Sequence, residues 1–250
     1  MKIAQWSIRH CLTARLRDRP SSLVGLLLGW YRDRWVVLVD DHILDENELS
    51  RLRTATAWVD PSIQLWNRSL LENLRYGNHG NQVTPMATVI DRADLQTVLA
   101  MLPDGMQSQL GESGGFVSGG EGQRVRLGRA MVRQDARLVI LDEPFRGLDR
   151  HTRQRLLTRT RELWQNATLL CITHDISETA HFDRVVVVAN GQIVEADTPA
   201  VLAANEQSYY AALRQAEEQL HQQAWRNGQW RKVQLVNGQV VVTEQGHHAQ

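Results

Sequence analysis

Apolar residues in this chain fall into short runs of strand length, separated by longer stretches with helical spacing. WVVLV (35–39) is a β-branched run, and TATAWV (54–59) is a second strand candidate closed by Asp60-Pro61. RLVIL (137–141) and TLLCIT (168–173) are apolar almost throughout, which suits strands of a parallel sheet covered on both faces. The polar helix HTRQRLLTRTRELWQN between them predicts a βαβ unit. VVVVANGQIVEAD (185–197) and KVQLVNGQVVVTE (232–244) place Asn-Gly between apolar segments and predict hairpins. Helices are predicted over SLLENLRYG (69–77), within 85–103, after the glycine-rich GESGGFVSGGEGQ (111–123), and over 206–224.

Composition narrows this picture. At 250 residues the natural reading is one domain of about 200 residues with appendages. Net charge is +0, which gives no electrostatic argument for nucleic acid as partner. Only Lys2 and Lys232 among the 28 basic residues are lysines, so chemistry needing a lysine between them is excluded. Cys11 and Cys171 suggest no disulfide framework, and a reducing compartment follows. The longest apolar run near the N-terminus, LVGLLLGWY, is too short to span a bilayer. The first 17 residues are read as a surface or disordered lead-in.

RLVILDEP (137–144) carries the sharpest chemistry. A buried strand delivers Asp142 and Glu143 at its C-terminal end, where parallel sheets bind ligands. Unpaired carboxylates there need a reason, and a magnesium ion with phosphates supplies one. Asp142 would hold the ion and Glu143 would polarise an attacking water. If the strands are neighbours, His174 in ITHD lies at the same edge as Glu143. In VSGGEGQRVRLGRA (117–130), Ser118, Gly119 and Gly120 stand where a helix begins, so free N–H groups and the helix dipole would attract an anion.

Together these elements resemble the nucleotide-binding domain of ATP-binding cassette (ABC) transporters. VSGGEGQ resembles the family signature, RLVILDEP its Walker B strand, RGLD with Asp149 its D-loop, and ITHD its switch-histidine motif. LGESG (110–114) before the signature and SLLENLRYG are similar to the exporter pattern. The resemblance implies a P-loop NTPase-like α/β fold with a parallel-sheet core and a helical subdomain at about 68–132. It also implies ATP and Mg2+ as cofactors. A second cassette would complete each site as a homo- or heterodimer. A membrane domain would fix a peripheral location at the cytoplasmic face.

The chain departs from the family at the phosphate-binding loop G-x-x-x-x-G-K-[ST]. Aligning SSLVGLLLG with the helix after that loop puts Ser21 at the magnesium-binding hydroxyl, with Ser22 beside it. Pro20 then falls on the lysine, Arg19 on the second glycine and Ala14 on the first. Proline offers neither charge nor N–H. The glutamine of the next loop becomes Pro61, leaving Gln64 as a displaced substitute ligand. The expected division is a degenerate lead-in (1–19), a cassette (20–215) that is N-terminally incomplete, and a C-terminal extension (216–250). Two readings follow. One is an ATP-hydrolysing exporter subunit that offers its signature to a partner's intact loop. The other is a defective or truncated cassette acting only in dimerisation or regulation, or a gene remnant. A cassette working on nucleic acid is disfavoured by the exporter-type loop and the neutral charge.

Overall fold

The computed structural model describes residues 9–14, 21–30, 38–39, 42–60, 62–78, 84–227, 232–236 and 239–243. Its core is a six-stranded sheet built from β1 (Arg9–Ala14), β4 (Thr56–Val59), β5 (Leu138–Asp142), β6 (Thr168–Ile172), β7 (Arg184–Ala189) and β8 (Gln192–Asp197). The spatial order is β4-β5-β6-β1-β7-β8. The first five strands in that order run parallel, and β8 pairs antiparallel with β7.

Alternate residues of the strands serve two layers. Ile140, Ile172 and Val188 face a cluster with Val24 and Leu28 from helix α1 (Ser21–Leu27) and the residue after it. Val139, Leu141, Leu169, Cys171, Val185 and Val187 face the larger cluster. That cluster includes Val125 and Leu127 of α6 (Gly119–Met131) and Leu156 and Leu157 of α7 (Arg150–Leu163). The two-residue period of a strand meets an apolar layer on each side, which is why RLVIL and TLLCIT carry no polar alternation. Each fully buried leucine or valine contributes about 1.5–3 kcal/mol. The strand–helix–strand unit β5-α7-β6 forms with adjacent parallel strands, as its pattern predicts.

The N-terminal segment differs from the expected surface lead-in. Arg9–Ala14 pairs with β6 on one side and β7 on the other. RHCLTA carries Arg9, His10 and Thr13, so it has no apolar run to mark it; its place comes from long-range pairing. Of WVVLV, only β2 (Leu38–Val39) is described. It pairs with β3 (His42–Ile43) in a separate two-stranded ladder.

Helices α2 (Glu46–Thr54), α3 (Leu70–Arg75), α4 (Met86–Arg92) and α5 (Gln96–Met101) precede α6. Asp45, Ser69 and Ser118 each accept an N–H from a glutamate three residues on, whose carboxylate accepts the cap's own N–H. These reciprocal caps fix the starts of α2, α3 and α6. Asp94 sits in the left-handed region (φ 57) between α4 and α5. Its carboxylate faces Arg155 at 2.5 Å, Arg124 at 3.5 Å and Arg159 at 3.8 Å, from α7, α6 and α7 respectively. This cluster ties the helices at 86–101 to α6 and α7. Because the Asp94 side chain is 21% exposed, its loss costs less than that of a fully buried pair. Asp94→Ala should lower unfolding free energy by about 1–2 kcal/mol in urea.

The chain continues through α8 (Ile176–Thr179) and α9 (Pro199–Ala204) into α10 (Tyr209–Asn227). β9 (Lys232–Val236) and β10 (Gln239–Thr243) form the expected final hairpin. Among the described residues, no helix is long and apolar enough to cross a membrane.

Candidate nucleotide site

The C-terminal edge of the sheet gathers the residues with the strongest chemistry. β5 ends at Asp142, in register with Ile172 of β6, and the Glu143 N–H donates to the Ile172 carbonyl at 2.9 Å. Glu143 adopts φ 45, a left-handed conformation uncommon outside glycine. Such geometry persists only where surroundings impose it. Here the parallel strands do so, and they bring Glu143 Oε1 to 2.7 Å from His174 Nδ1. The imidazole side chain is 59% exposed and the carboxyl 24%, so the pair opens to the surface. Asp142 is buried. β1 runs to the same edge beside β6, so the sequence joining β1 to α1 begins next to the strand that leads to His174.

The glycine-rich helix start is built onto the loop after Glu143. Ser118 Oγ accepts the Glu121 N–H at 3.3 Å, and Glu121 Oε2 accepts the Ser118 N–H at 2.7 Å. A Cβ on Gly119 would meet nothing within 4 Å, whereas one on Gly120 would lie 3.0 Å from the Gly147 carbonyl oxygen. Gly120 is therefore closely packed on backbone, where a side chain would need the Gly147 carbonyl to give way, and Gly119 is open outward. Gln123 Nε2 donates to the Glu143 carbonyl at 3.2 Å, a second tie between α6 and this loop. Asp149 caps α7: its carboxylate accepts the Thr152 N–H at 3.0 Å, which holds it below the usual carboxylate range. In the folded chain it therefore serves as the cap of α7.

Other expected ligands are less gathered. Val59 of β4 is in register with Leu141, so the next residue, Asp60, rather than Gln64, comes level with Asp142. Asp60 Oδ1 accepts from the Ser62 N–H at 2.7 Å and the Ser62 hydroxyl at 2.6 Å. Gln64 is exposed. Ser21 and Ser22 begin α1, and their side chains lie outside the described ones. Pro61 and the 15–20 segment lie outside the described residues too. Among the described residues, no group of three or more His, Cys, Asp or Glu side chains is arranged to hold a metal.

Sequence reasoning missed the ion-pair group behind His174. Arg153 of α7 pairs with Asp175 and, at 3.3 Å through Nε, with Glu178. Thr173 Oγ1 donates to Glu178 Oε2 at 3.3 Å. Burial pushes the Glu178 carboxyl up to about 7, with Arg153 and the Thr173 hydroxyl opposing and Glu143 and Glu217 reinforcing. The folded chain therefore holds this proton more tightly than the unfolded chain. The stability it contributes is complete below the ordinary carboxylate value of 4.5 and is lost as pH rises through 7. Glu178→Gln should flatten the fall in Tm between pH 5 and pH 8, measured by calorimetry. An unchanged slope would assign the fall to other groups.

A family model described as ABC transporter matches residues 21–146, half of the chain. The chain belongs to the ABC transporter family. It is 32% identical over 200 residues to the transport ATP-binding protein AarD of Providencia stuartii, covering 80% of this chain and 34% of that protein. It is 34% identical over 200 residues to the ATP-dependent lipid A-core flippase of Xylella fastidiosa, covering 79% and 34% respectively. A solved bacterial Atm1-family ABC exporter with ATP bound matches with TM-score 0.76 and 25% identity. That match covers 84% of this chain and 37% of the exporter. The fold is the ABC cassette of exporter-type relatives, and the chain spans about a third of the length of the curated relatives it matches.

The ABC family binds ATP. Glu143 and His174 are apposed at the sheet edge, and the open Gly119 heads α6. The sequence between β1 and α1, RLRDRP, has no glycine or lysine with which to wrap phosphates.

Proposed function

We propose that this chain is the nucleotide-binding cassette of an ABC exporter whose signature half serves a phosphate loop supplied by a second cassette. The observation that carries the reading is a contrast within one chain. Ser118, Gly119 and Gly120 head a capped thirteen-residue helix braced on the Glu143 loop, while the stretch before Ser21 lacks the glycines and the lysine of the family's phosphate loop. The exposed N–H groups of the helix start, the positive end of its dipole and the Ser118 hydroxyl suit a terminal phosphate. In the same reading Glu143 polarises water, His174 orients it, Asp142 serves Mg2+, and the ATP site of this chain's own loop is defective. The assembly couples ATP to export through a membrane domain at the cytoplasmic face.

The exporter-type relatives support the partner domains, because each extends well beyond the part matched here. A second reading, a module that only dimerises or regulates, is favoured by the same missing lysine. The two separate on turnover in the presence of a complete loop. The purified chain alone should hydrolyse ATP at least ~100-fold more slowly than a cassette with a complete loop, since losing preorganised phosphate donors has effects of that order. A rate equal to an intact cassette would overturn the proposal.

A further inference from the structure

Arg153 lies where two functional loops meet. Its Nη2 donates to the Leu148 carbonyl at 3.1 Å, in the loop that follows Glu143. The same guanidinium pairs with Asp175 and Glu178, immediately after His174. The guanidinium is thus divided between the 144–149 loop on one side and the 173–178 loop on the other. Each attachment has support of its own. Thr173 Oγ1 accepts the Asp175 N–H at 3.1 Å and donates to Glu178, so the 173–178 loop is closed on itself around the ion pair. Ser177 Oγ donates to Asp175 at 2.6 Å. On the other side, Gly147 lies against Gly120, with the Gly147 oxygen 3.0 Å from where a Gly120 Cβ would stand. Movement of the 144–149 loop toward α6 is therefore blocked by backbone, and movement away is restrained by Arg153.

We infer that Arg153 is a positioning residue that fixes the 144–149 loop against the signature glycines and couples it to the His174 loop. It acts through Leu148, whose side chain and whose neighbour Gly147 lie against Gly120, and through Asp175, the residue after His174. The arrangement also reaches the C-terminal helix. Tyr210 of α10 is buried, and its hydroxyl lies 2.8 Å from Thr179 Oγ1, at the far end of α8 from Asp175. α10 thereby holds the short helix that carries Glu178 and begins just after Asp175. A salt bridge at the surface would contribute little here, but Glu178 is only 7% exposed, and removing its cation leaves a buried carboxyl without a charged partner. The functional meaning of this coupling rests on the signature reading above, but the coupling itself does not.

The test uses amide and imidazole resonances of the full chain. Arg153→Gln should move the amide resonances of Gly119, Gly120 and Gly147 as well as the His174 ring resonances. Arg153→Lys, which keeps the charge, should return them most of the way. Shifts confined to residues 173–178, with Gly119, Gly120 and Gly147 unmoved, would overturn the inference. If Arg153→Gln does not fold, Asp175→Asn releases one arm of the same guanidinium and is judged by the same resonances. Shifts that reach Gly119 together with an absence of turnover under every condition would sink the proposed function and leave the coupling standing.

Discussion

Restoring the phosphate loop by Ala14→Gly, Arg19→Gly and Pro20→Lys should raise ATP affinity by at least tenfold. The three changes rebuild G-x-x-x-x-G-K-S over residues 14–21, with Ser21 already in place. The scaffold for the loop exists: β1 lies between β6 and β7 and ends at the edge that bears Asp142 and Glu143, and α1 begins at Ser21. Two glycines allow backbone N–H groups to turn inward, and the lysine adds a charge opposite the β and γ positions. One charge-assisted contact of about 1.5–3 kcal/mol accounts for tenfold or more. Calorimetric titration with ATP and Mg2+ reads the change. No gain would mean that the missing loop is not what limits nucleotide binding.

In that restored background, Gly119→Asp should reduce turnover by at least ~100-fold without unfolding the chain. The substitution fits, because a Cβ at Gly119 meets nothing within 4 Å. An acid in the first turn of α6 is compatible with the helix dipole, so Tm should stay within a few degrees. What it opposes is a phosphate arriving at the same N–H groups, where a fixed negative charge is repulsive. Gly120→Ala makes a useful contrast, because its Cβ would press on the Gly147 oxygen and act through the fold. Loss of turnover in both, with loss of Tm only in the second, separates contact from packing.

Much of this arrangement is legible in the sequence. Neighbouring apolar runs with a helix between them require parallel strands on one edge, and that rule alone placed His174 near Glu143. The helix start at Ser118 followed from glycines before an apolar period. The rest was illegible for physical reasons. β1 has Arg9, His10 and Thr13 in a six-residue strand, and only pairing with β6 and β7 reveals its place. Arg153 meets Asp175 and Glu178 across 22 and 25 positions, and the arginines of Asp94 come from two helices 30 or more residues away. Local periodicity carries no signal for such pairs. Asp149 is a milder case: the RGLD resemblance marked it as a site acid, and the structure gives it a capping duty that needs no ligand.

Complementation between two versions of this chain measures the central claim most directly. The loop-restored chain carrying Gly119→Asp has a complete loop and a blocked signature, while the natural chain has the reverse. Each alone should hydrolyse ATP only at background. Mixed in equal amounts with ATP and Mg2+, they should recover turnover at least ~100-fold above either alone, because one loop then faces an intact signature. A mixture no faster than its components, with both folded and associated, would contradict the claim that the signature of this chain serves another chain's phosphate loop.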